Sequence, residues 1–312
     1  MQDDILRYCR QVVLKAMDSI RARMRGSNRL LLKESVLGSE EKKAQGNLTK
    51  GVDREAEEIV IQSLLKKLPK VGNIERLAVF SEEAGILTFP ADLQPEAADW
   101  VAFIDPIDGT EFIEGLQSGW TLLALYDRRR DRVEAAVAGD LFLDRVYWAS
   151  QSGPAECLDF ATHSWFKLDG GSKPKKSLQE RGVRLNILTT KVGRFRAVAA
   201  QEALLDALEK VDGRINLAWG SNMIVQVAAG YADAAVEFAK GFATYDVLPG
   251  LFIGERAGLI ILDLEGNRVT SRIDIPEVFA AYRRDSKKPK RIPFVAAKEE
   301  SLAREIVGLL QR

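Results

Sequence analysis

Hydrophobic periodicity divides the first half of the chain into two helical patterns and several extended ones. Apolar residues recur at helical spacing over residues 5–24, which predicts an amphipathic helix with one buried face. A second helical pattern follows Asp53 and is expected to end near Pro69, because proline disrupts a helix interior. Between them, the polar, glycine-punctuated residues 33–47 predict a surface loop. Short apolar runs predict strands at 77–80, 101–104, 121–126, 133–138 and 146–149.

Beyond residue 183 the pattern changes to alternating strands and helices. Strands are predicted at 185–188, 196–199, 232–238 and 260–264, and helices at 202–210, 223–229, 244–257 and 301–310. Gly230 is expected to cap the helix before it, and Pro249 to fall within the first turn of its helix, where a missing N–H removes no hydrogen bond. The pattern predicts an α/β protein with an N-terminal α+β lobe, 1–182, and a C-terminal α/β lobe, 183–312, in one compact unit.

Composition narrows the classes of partner and chemistry. Lys plus Arg and Asp plus Glu each number 45, so no net charge attracts nucleic acid polymers or an acidic membrane, and a small molecule is the expected partner. Cys9 and Cys157 are too few and too distant in sequence for a disulfide framework or thiolate zinc site. His163 is the only histidine, which argues against histidine-based catalysis. With no apolar signal segment or membrane span in the sequence, we expect a soluble, cytoplasmic protein.

The candidate chemistry centres on the six residues from Asp105 to Thr110, with the sequence DPIDGT. They follow the predicted strand 101–104 directly, and Pro106 is expected to end that strand because it donates no N–H. Asp105 and Asp108 supply hard oxygen ligands that suit Mg²⁺ or Mn²⁺, and Gly109 lets the backbone approach a phosphate closely. An N-capping Asp or an Asp-Gly turn explains part of this segment, whereas the whole hexapeptide favours a metal and phosphate site.

Further polar segments occur in a fixed order around this hexapeptide: Asp53 with Glu57, Ser81-Glu82-Glu83, Gly220-Ser221 and Tyr245-Asp246. In order and approximate spacing, they resemble the inositol monophosphatase family of metal-dependent phosphatases over roughly the whole chain. The resemblance implies a layered αβαβα sandwich of the type shared with fructose-1,6-bisphosphatase. The chain departs from the family pattern at Glu111-Phe112-Ile113, at Tyr245 and at Leu248-Pro249, which indicates a divergent member.

The resemblance assigns the carboxylates to two metal sites. It implies that Glu82, Asp105 and the backbone carbonyl of Ile107 hold one cation. Asp105, Asp108 and Asp246 are then expected to hold a second, with Asp105 bridging the two. The implied cofactor is Mg²⁺, at two or three ions per active site, with Mn²⁺ as the alternative. Clustered carboxylates are tolerable only with cations among them, which agrees with this assignment.

The resemblance also implies catalytic and phosphate-binding roles. Asp53 and Thr110 are expected to polarise and orient the attacking water, and Glu83 to act through a metal-bound water. The phosphate is expected to lie against Asp108 and the backbone amides of Gly109 and Thr110.

Substrate contacts are expected from a later part of the chain. Gly220 and Ser221 belong to the family pattern, and Glu237 is the nearest match to the glutamate that contacts sugar hydroxyls in inositol-specific members. The connection from Glu237 to Asp246 is longer than in that pattern, so Lys240 is a candidate contact for a second anionic group, with a solvated loop lysine as the alternative.

These features predict a Mg²⁺-dependent phosphomonoesterase, an inositol-1-monophosphatase-like enzyme for inositol monophosphate or a sugar phosphate. On the same fold, 3'(2'),5'-bisphosphate nucleotidase, fructose-1,6-bisphosphatase and histidinol-phosphatase activities are alternatives. A haloacid dehalogenase-type phosphatase is disfavoured, because its nucleophilic aspartate would fall on Pro106. The alternative of another class is a non-catalytic regulator that binds metal or ligand. A homodimer is the expected assembly by resemblance.

Overall fold

The computed structural model describes residues 2–25, 51–81, 84–109, 112–113, 118–171, 173–187, 192–284 and 290–310. The chain divides into two compact units: Met1–Trp148 with Leu158–Ser164, and Ala149–Cys157 with Trp165–Arg312. The predicted lobe boundary between residues 182 and 183 stays a prediction, and residues 165–182 belong to the second unit. The predicted loop 33–47 lies outside the described residues.

The predicted α/β class is confirmed by two mixed sheets with helices packed on them. The first sheet has the strand order β2-β1-β3-β4-β5-β6-β7-β8, in which β1 pairs antiparallel with β2 and parallel with β3. The strands of this sheet and the helices that precede or interrupt them are, in chain order, α1 Gln2–Arg25, α2 Gly51–Gly72, β1 Leu77–Ser81, β2 Gly85–Phe89, a 3₁₀ turn at Pro95–Ala97, β3 Trp100–Asp108, β4 Trp120–Asp127, β5 Arg132–Asp140, β6 Arg145–Ser150, β7 Glu156–Asp159 and β8 Ser164–Lys167.

The core of the first unit lies between the helices α1 and α2 and the sheet. The predicted apolar face of α1 is confirmed, since Val13, Met17 and its neighbours on that face are buried. A Cβ at Gly139 of β5 would lie 2.2 Å from the sulfur of Met17, so this glycine allows α1 to approach the sheet closely. Helix α2 ends at Gly72, which confirms the predicted end near Pro69, although Pro69 itself is helical. Because Pro69 lies in the last turn, it removes one helical hydrogen bond without interrupting a longer helix.

The prediction that Pro106 ends the strand is wrong, because β3 runs on to Asp108. The pairing of β3 with β4 shifts between Asp105 and Asp108, which is the signature of a β-bulge. Pro106 lies within this irregularity, where a missing N–H does not break the ladder, and its carbonyl accepts a hydrogen bond of 2.9 Å from the Thr121 hydroxyl. The bulge therefore carries both aspartates on one strand.

The second sheet has the strand order β10-β9-β11-β13-β12 and belongs to the second unit. Its elements are β9 Arg184–Ile187, α3 Val192–Ala199, α4 Glu202–Lys210, β10 Arg214–Leu217, α5 Gly220–Ala228, β11 Ala234–Ala243, α6 Thr244–Arg256, β12 Ile260–Leu262, α7 Ile275–Arg284, β13 Arg291–Ala297 and α8 Glu300–Leu309. The strand predicted at 196–199 is helical, as part of α3. Only Val198 of that helix is buried. A single buried position gives no repeat in the sequence by which a helix can be distinguished from a strand.

Two further expectations concern helix ends and membranes. Gly230 has φ +76° directly after the C-cap Ala229 of α5, which confirms its capping role. Across the part of the chain that the structure describes, none of the helices combines the length and apolar character needed to cross a membrane.

Candidate active site

The bulged end of β3 buries both aspartates of the hexapeptide. Asp105 is 5% exposed and Asp108 is 2% exposed. The Ile107 amide donates a hydrogen bond of 3.1 Å to Oδ1 of Asp105, which fixes the turn between the two carboxylates. Gly109 follows with φ +88°, and its carbonyl accepts from the Phe112 amide at 2.8 Å. The structure thus brings Asp105, Ile107, Asp108 and Gly109 together in the first unit.

The donor chemistry at this strand end fits a hard divalent cation. Two buried carboxylates close in sequence are costly unless positive charge compensates them. Neither thiol competes as a ligand, because Cys9 and Cys157 are fully buried and burial raises the pKa of the Cys9 thiol to about 12. Oxygen ligands of this kind are those that Mg²⁺ prefers. Within the described residues, no group of three or more His, Cys, Asp or Glu side chains is arranged to hold a metal ion.

Glu57 supports the segment that carries the two predicted glutamates. Its Oε1 accepts hydrogen bonds from the Ser81 hydroxyl and, at 2.8 Å, from the Ala84 amide. Ser81 and Ala84 directly flank Glu82 and Glu83, so one buried carboxylate on α2 fixes both ends of that pair. The sequence places Glu57 in the same motif as Asp53 but does not predict this role.

Four of the predicted site residues lie wholly or partly beyond the described structure. Glu82, Glu83 and Thr110 are outside the described residues. Asp53 lies in the first turn of α2, but its side chain is not among those described. Their roles as metal ligands or catalytic groups stay predictions.

In the second unit, Asp246 is the third residue of α6. Its Oδ2 accepts a hydrogen bond of 3.2 Å from the Ala243 amide just before the helix, which is half of a capping box. Desolvation raises the pKa of Asp246 to about 7, while the charges of Arg291 and Lys240 act in the opposite direction. A cation at this carboxylate would offset the cost of its burial.

Ser221 holds the backbone of Asp246 through a hydroxyl inserted into α6. The Ser221 hydroxyl donates to the Asp246 carbonyl at 2.6 Å and accepts from the Gly250 amide at 2.9 Å. These two backbone groups are the i and i+4 partners of a regular helix. Because α6 begins at Thr244, Pro249 lies beyond its first turn, and the prediction that it removes only an unused N–H is wrong. The inserted hydroxyl accommodates the helix next to this proline.

Glu237 is 1% exposed and shapes the loop that follows it. Its Oε1 accepts hydrogen bonds from the amides of Lys240 at 2.9 Å and Gly241 at 3.1 Å. Its contact with a sugar hydroxyl stays a prediction. The second unit therefore brings together Ser221 with its neighbour Gly220, Glu237, Lys240 and Asp246. It adds Arg291, which sequence reasoning missed because its place depends on the pairing of β11 with β13.

Comparison with known proteins shows the family to which this chain belongs. The model of the inositol monophosphatase family matches residues 1–300. The chain belongs to the inositol monophosphatase family. Enzymes of this family are phosphatases that generally depend on Mg²⁺, which places the chain among phosphoric monoester hydrolases as a class.

Individual relatives differ in their described functions. The chain is 27% identical over 272 residues to human 3'(2'),5'-bisphosphate nucleotidase 1, covering 81% of this chain and 83% of that protein. It is also 27% identical over 238 residues to the Nus factor SuhB of Pseudomonas aeruginosa, covering 74% and 78%. In fold it is similar to the extragenic suppressor protein suhB of Bartonella henselae, with TM-score 0.69, 17% identity and coverage of 99% and 98%.

Proposed function

We propose that this chain is a Mg²⁺-dependent phosphomonoesterase that hydrolyses a small phosphorylated metabolite, with an inositol monophosphate or a sugar phosphate as the first candidates. The observation that carries the proposal is the pair of buried carboxylates, Asp105 and Asp108, on the bulged end of β3. Such a pair is stable only with positive charge beside it, and the family to which the chain belongs consists of phosphatases.

One group of residues would hold the cations needed for hydrolysis. Asp105, Asp108 and the Ile107 carbonyl would hold cations at the strand end, with Glu82 and Asp246 as further proposed ligands. When bound, divalent cations supply Lewis acidity and lower the pKa of a coordinated water.

The remaining proposed roles concern the water and the phosphate. Asp53 and Thr110 would polarise and orient the attacking water, with Glu83 acting through a bound water. The amides of Gly109 and Thr110 would donate to phosphate oxygens, and the positive φ of Gly109 supports a close approach of backbone to ligand. Glu57 would keep Glu82 and Glu83 in place without contacting substrate.

The test is phosphate release by the purified chain from a panel of esters: inositol 1-phosphate, fructose 1,6-bisphosphate, histidinol phosphate and adenosine 3′,5′-bisphosphate. We expect turnover of at least one ester with Mg²⁺, loss of turnover in EDTA, and recovery when Mg²⁺ is restored. Mn²⁺ and added Li⁺ extend the same assay. Turnover that is unchanged in EDTA would contradict the proposal.

A second candidate function is a non-catalytic ligand-binding regulator. The observation that favours it is the relationship to a protein described as a Nus factor. This candidate predicts Mg²⁺ binding by calorimetry without phosphate release from any ester in the panel. Release from even one ester at the rate of an ordinary phosphatase would exclude it.

A further inference from the structure

An open groove lies between the helices α4 and α8 of the second unit. Its volume is about 830 Å³, which is within the range of cavities that bind small organic molecules. Most of its lining is apolar and is contributed by Leu178, Ala203, Ala207, Val211, Gly308 and Leu309. We call this space the α4–α8 groove.

The α4–α8 groove is separate from the site residues Ser221 and Asp246. One core cluster joins α4 and α8 to alternate residues of β11 and β13, which point to one face of the second sheet: Ala234, Val236, Val295 and Ala297. Helices α5 and α6, which carry Ser221 and Asp246, contact the same two strands but contribute no described residue to this cluster. The groove therefore belongs to the opposite face of the sheet from these two helices.

Hydrogen bonds fix the segment that forms one wall of the groove. The Glu305 carboxylate of α8 accepts from the Ser177 hydroxyl at 2.9 Å and from the Leu178 amide at 2.7 Å. Further along the same segment, the Gly182 amide donates to the Val211 carbonyl at 2.7 Å, just beyond α4. Because this wall is tied to both helices, a ligand would not have to order it on binding.

Small side chains leave the interior of the groove unfilled. A Cβ built on Gly308 meets no atom within 4 Å. On α4, Ala203 is exposed and Ala207, one turn later, is half-buried. Within the described structure, an apolar body could occupy this space without displacing protein atoms, and its burial would remove apolar surface from water.

Lys210 gives the groove a positive charge that is available to a ligand. It ends α4, is exposed, and among the described residues its ammonium forms neither a hydrogen bond nor an ion pair. The other charged residue of the lining, Glu305, is already engaged by two donors, and its charge would repel a doubly charged group more than a singly charged one. A head group with a single negative charge suits this combination.

We infer that the α4–α8 groove binds an amphipathic carboxylate, with its apolar body between the two helices and its carboxylate at Lys210. A lysine ammonium donates charge-assisted hydrogen bonds to a carboxylate, and the Gln179 amide in the same lining adds neutral donors. This inference is independent of the proposed phosphatase function, because no residue of the groove has a role in it.

The test is calorimetric titration of the full chain with decanoate below its critical micelle concentration, with decanol and decyl phosphate as matched probes. We expect saturable binding of decanoate that is tighter than binding of either matched probe. Lys210→Gln should weaken decanoate binding about tenfold or more, the effect of losing one charged hydrogen bond, and Lys210→Arg should retain most of the affinity. Lys67→Gln, at an exposed lysine of α2, is the matched control and should bind decanoate as the wild type does.

A second variant, Gly308→Leu, tests the apolar part of the groove. The leucine side chain would enter the open space, and leucine favours a helix more than glycine does, so the fold should be kept. We expect binding of both decanoate and decanol to weaken at least about tenfold, because the groove is then filled. Urea denaturation checks that the variant is at least as stable as the wild type.

Several outcomes would overturn the inference. The wild type would show no saturable decanoate binding if the groove instead receives a partner protein. Wild-type affinity in Lys210→Gln, or in folded Gly308→Leu, would show non-specific association or a site elsewhere. Binding of decanol or decyl phosphate that is as tight as that of decanoate would contradict a site for a single carboxylate.

Discussion

At the scale of single residues, the structure shows how one buried carboxylate can organise a segment that bears two others. Glu57 accepts from the Ser81 hydroxyl and the Ala84 amide, on either side of Glu82 and Glu83. The sequence could name Glu57 as part of a motif, because acids at this spacing lie on one face of a helix. It could not show what the carboxylate binds, since its partners lie more than twenty residues away, beyond the helix.

Replacement of Glu57 tests this positioning role. In Glu57→Ala the Ser81 and Ala84 donors lose their acceptor, and kcat/KM is expected to fall about 10- to 100-fold, as for other residues that orient ligands. Mg²⁺ affinity by calorimetry should weaken in parallel. Glu58→Ala, at the exposed neighbouring position, is the control and should retain both values. Unchanged Mg²⁺ affinity in Glu57→Ala would show that the segment keeps its place without this carboxylate.

At the scale of secondary-structure elements, the site depends on irregularities that periodicity does not report. Apolar patterns predicted β4 and β5 closely, because nearly every residue of both strands is buried. They misjudged β3 and β11, which continue through register shifts at Pro106 and beyond Glu237. A bulge adds residues to one strand without changing its composition, so only the pairing reveals it.

The contact between α5 and α6 gives an element-scale prediction. A Cβ at Gly250 would lie 2.8 Å from the Cα of Ser221, so Gly250→Ala must separate the helices and disturb the hydroxyl inserted beside Asp246. We expect the free energy of unfolding to fall by about 1–3 kcal/mol, the usual cost of overpacking, and Mg²⁺ affinity to weaken. Gly308→Ala in α8 is the control, because a Cβ there meets no atom within 4 Å. Chemical denaturation and calorimetry measure both effects, and equal stability of the two variants would refute the close approach.

At the scale of the whole molecule, sequence reasoning identified the α/β class and the family, because many weak signals agreed in order along the chain. It placed Asp246 correctly in its helix, but it placed Asp105 and Asp108 after the strand that in fact carries both. It did not find Arg291 or the contacts of Ser221 and Glu237, which depend on strand pairing and helix packing between distant segments.

One pH-dependent contribution to global stability comes from Glu255, a partly buried acid outside the site. Burial raises the pKa of Glu255 above its ordinary value of 4.5, although Ser271 donates to its carboxylate from both amide and hydroxyl. A raised pKa in the folded state means that its contribution to stability is complete below pH 4.5 and is lost as pH rises through the folded pKa.

Glu255→Gln should remove this dependence while keeping an acceptor for Ser271. We expect the difference in free energy of unfolding, variant minus wild type, to increase as pH rises from about 4 to 8, because the amide carries no charge to bury. Urea denaturation of both chains across that range measures the difference. A difference that is constant with pH, or that shrinks as pH rises, would contradict the burial of an ionised carboxylate.

The central claim is that the buried aspartates on the bulged end of β3 hold the divalent cations that the enzyme needs to hydrolyse a phosphate ester. The most direct measurement is Mg²⁺-dependent phosphate release by Asp105→Asn, compared with Asp99→Asn, which alters an ion-pair residue just before the same strand. Asp105→Asn should fold, bind Mg²⁺ more weakly by calorimetry and lose turnover, while Asp99→Asn keeps it. Wild-type turnover by folded Asp105→Asn would contradict the claim.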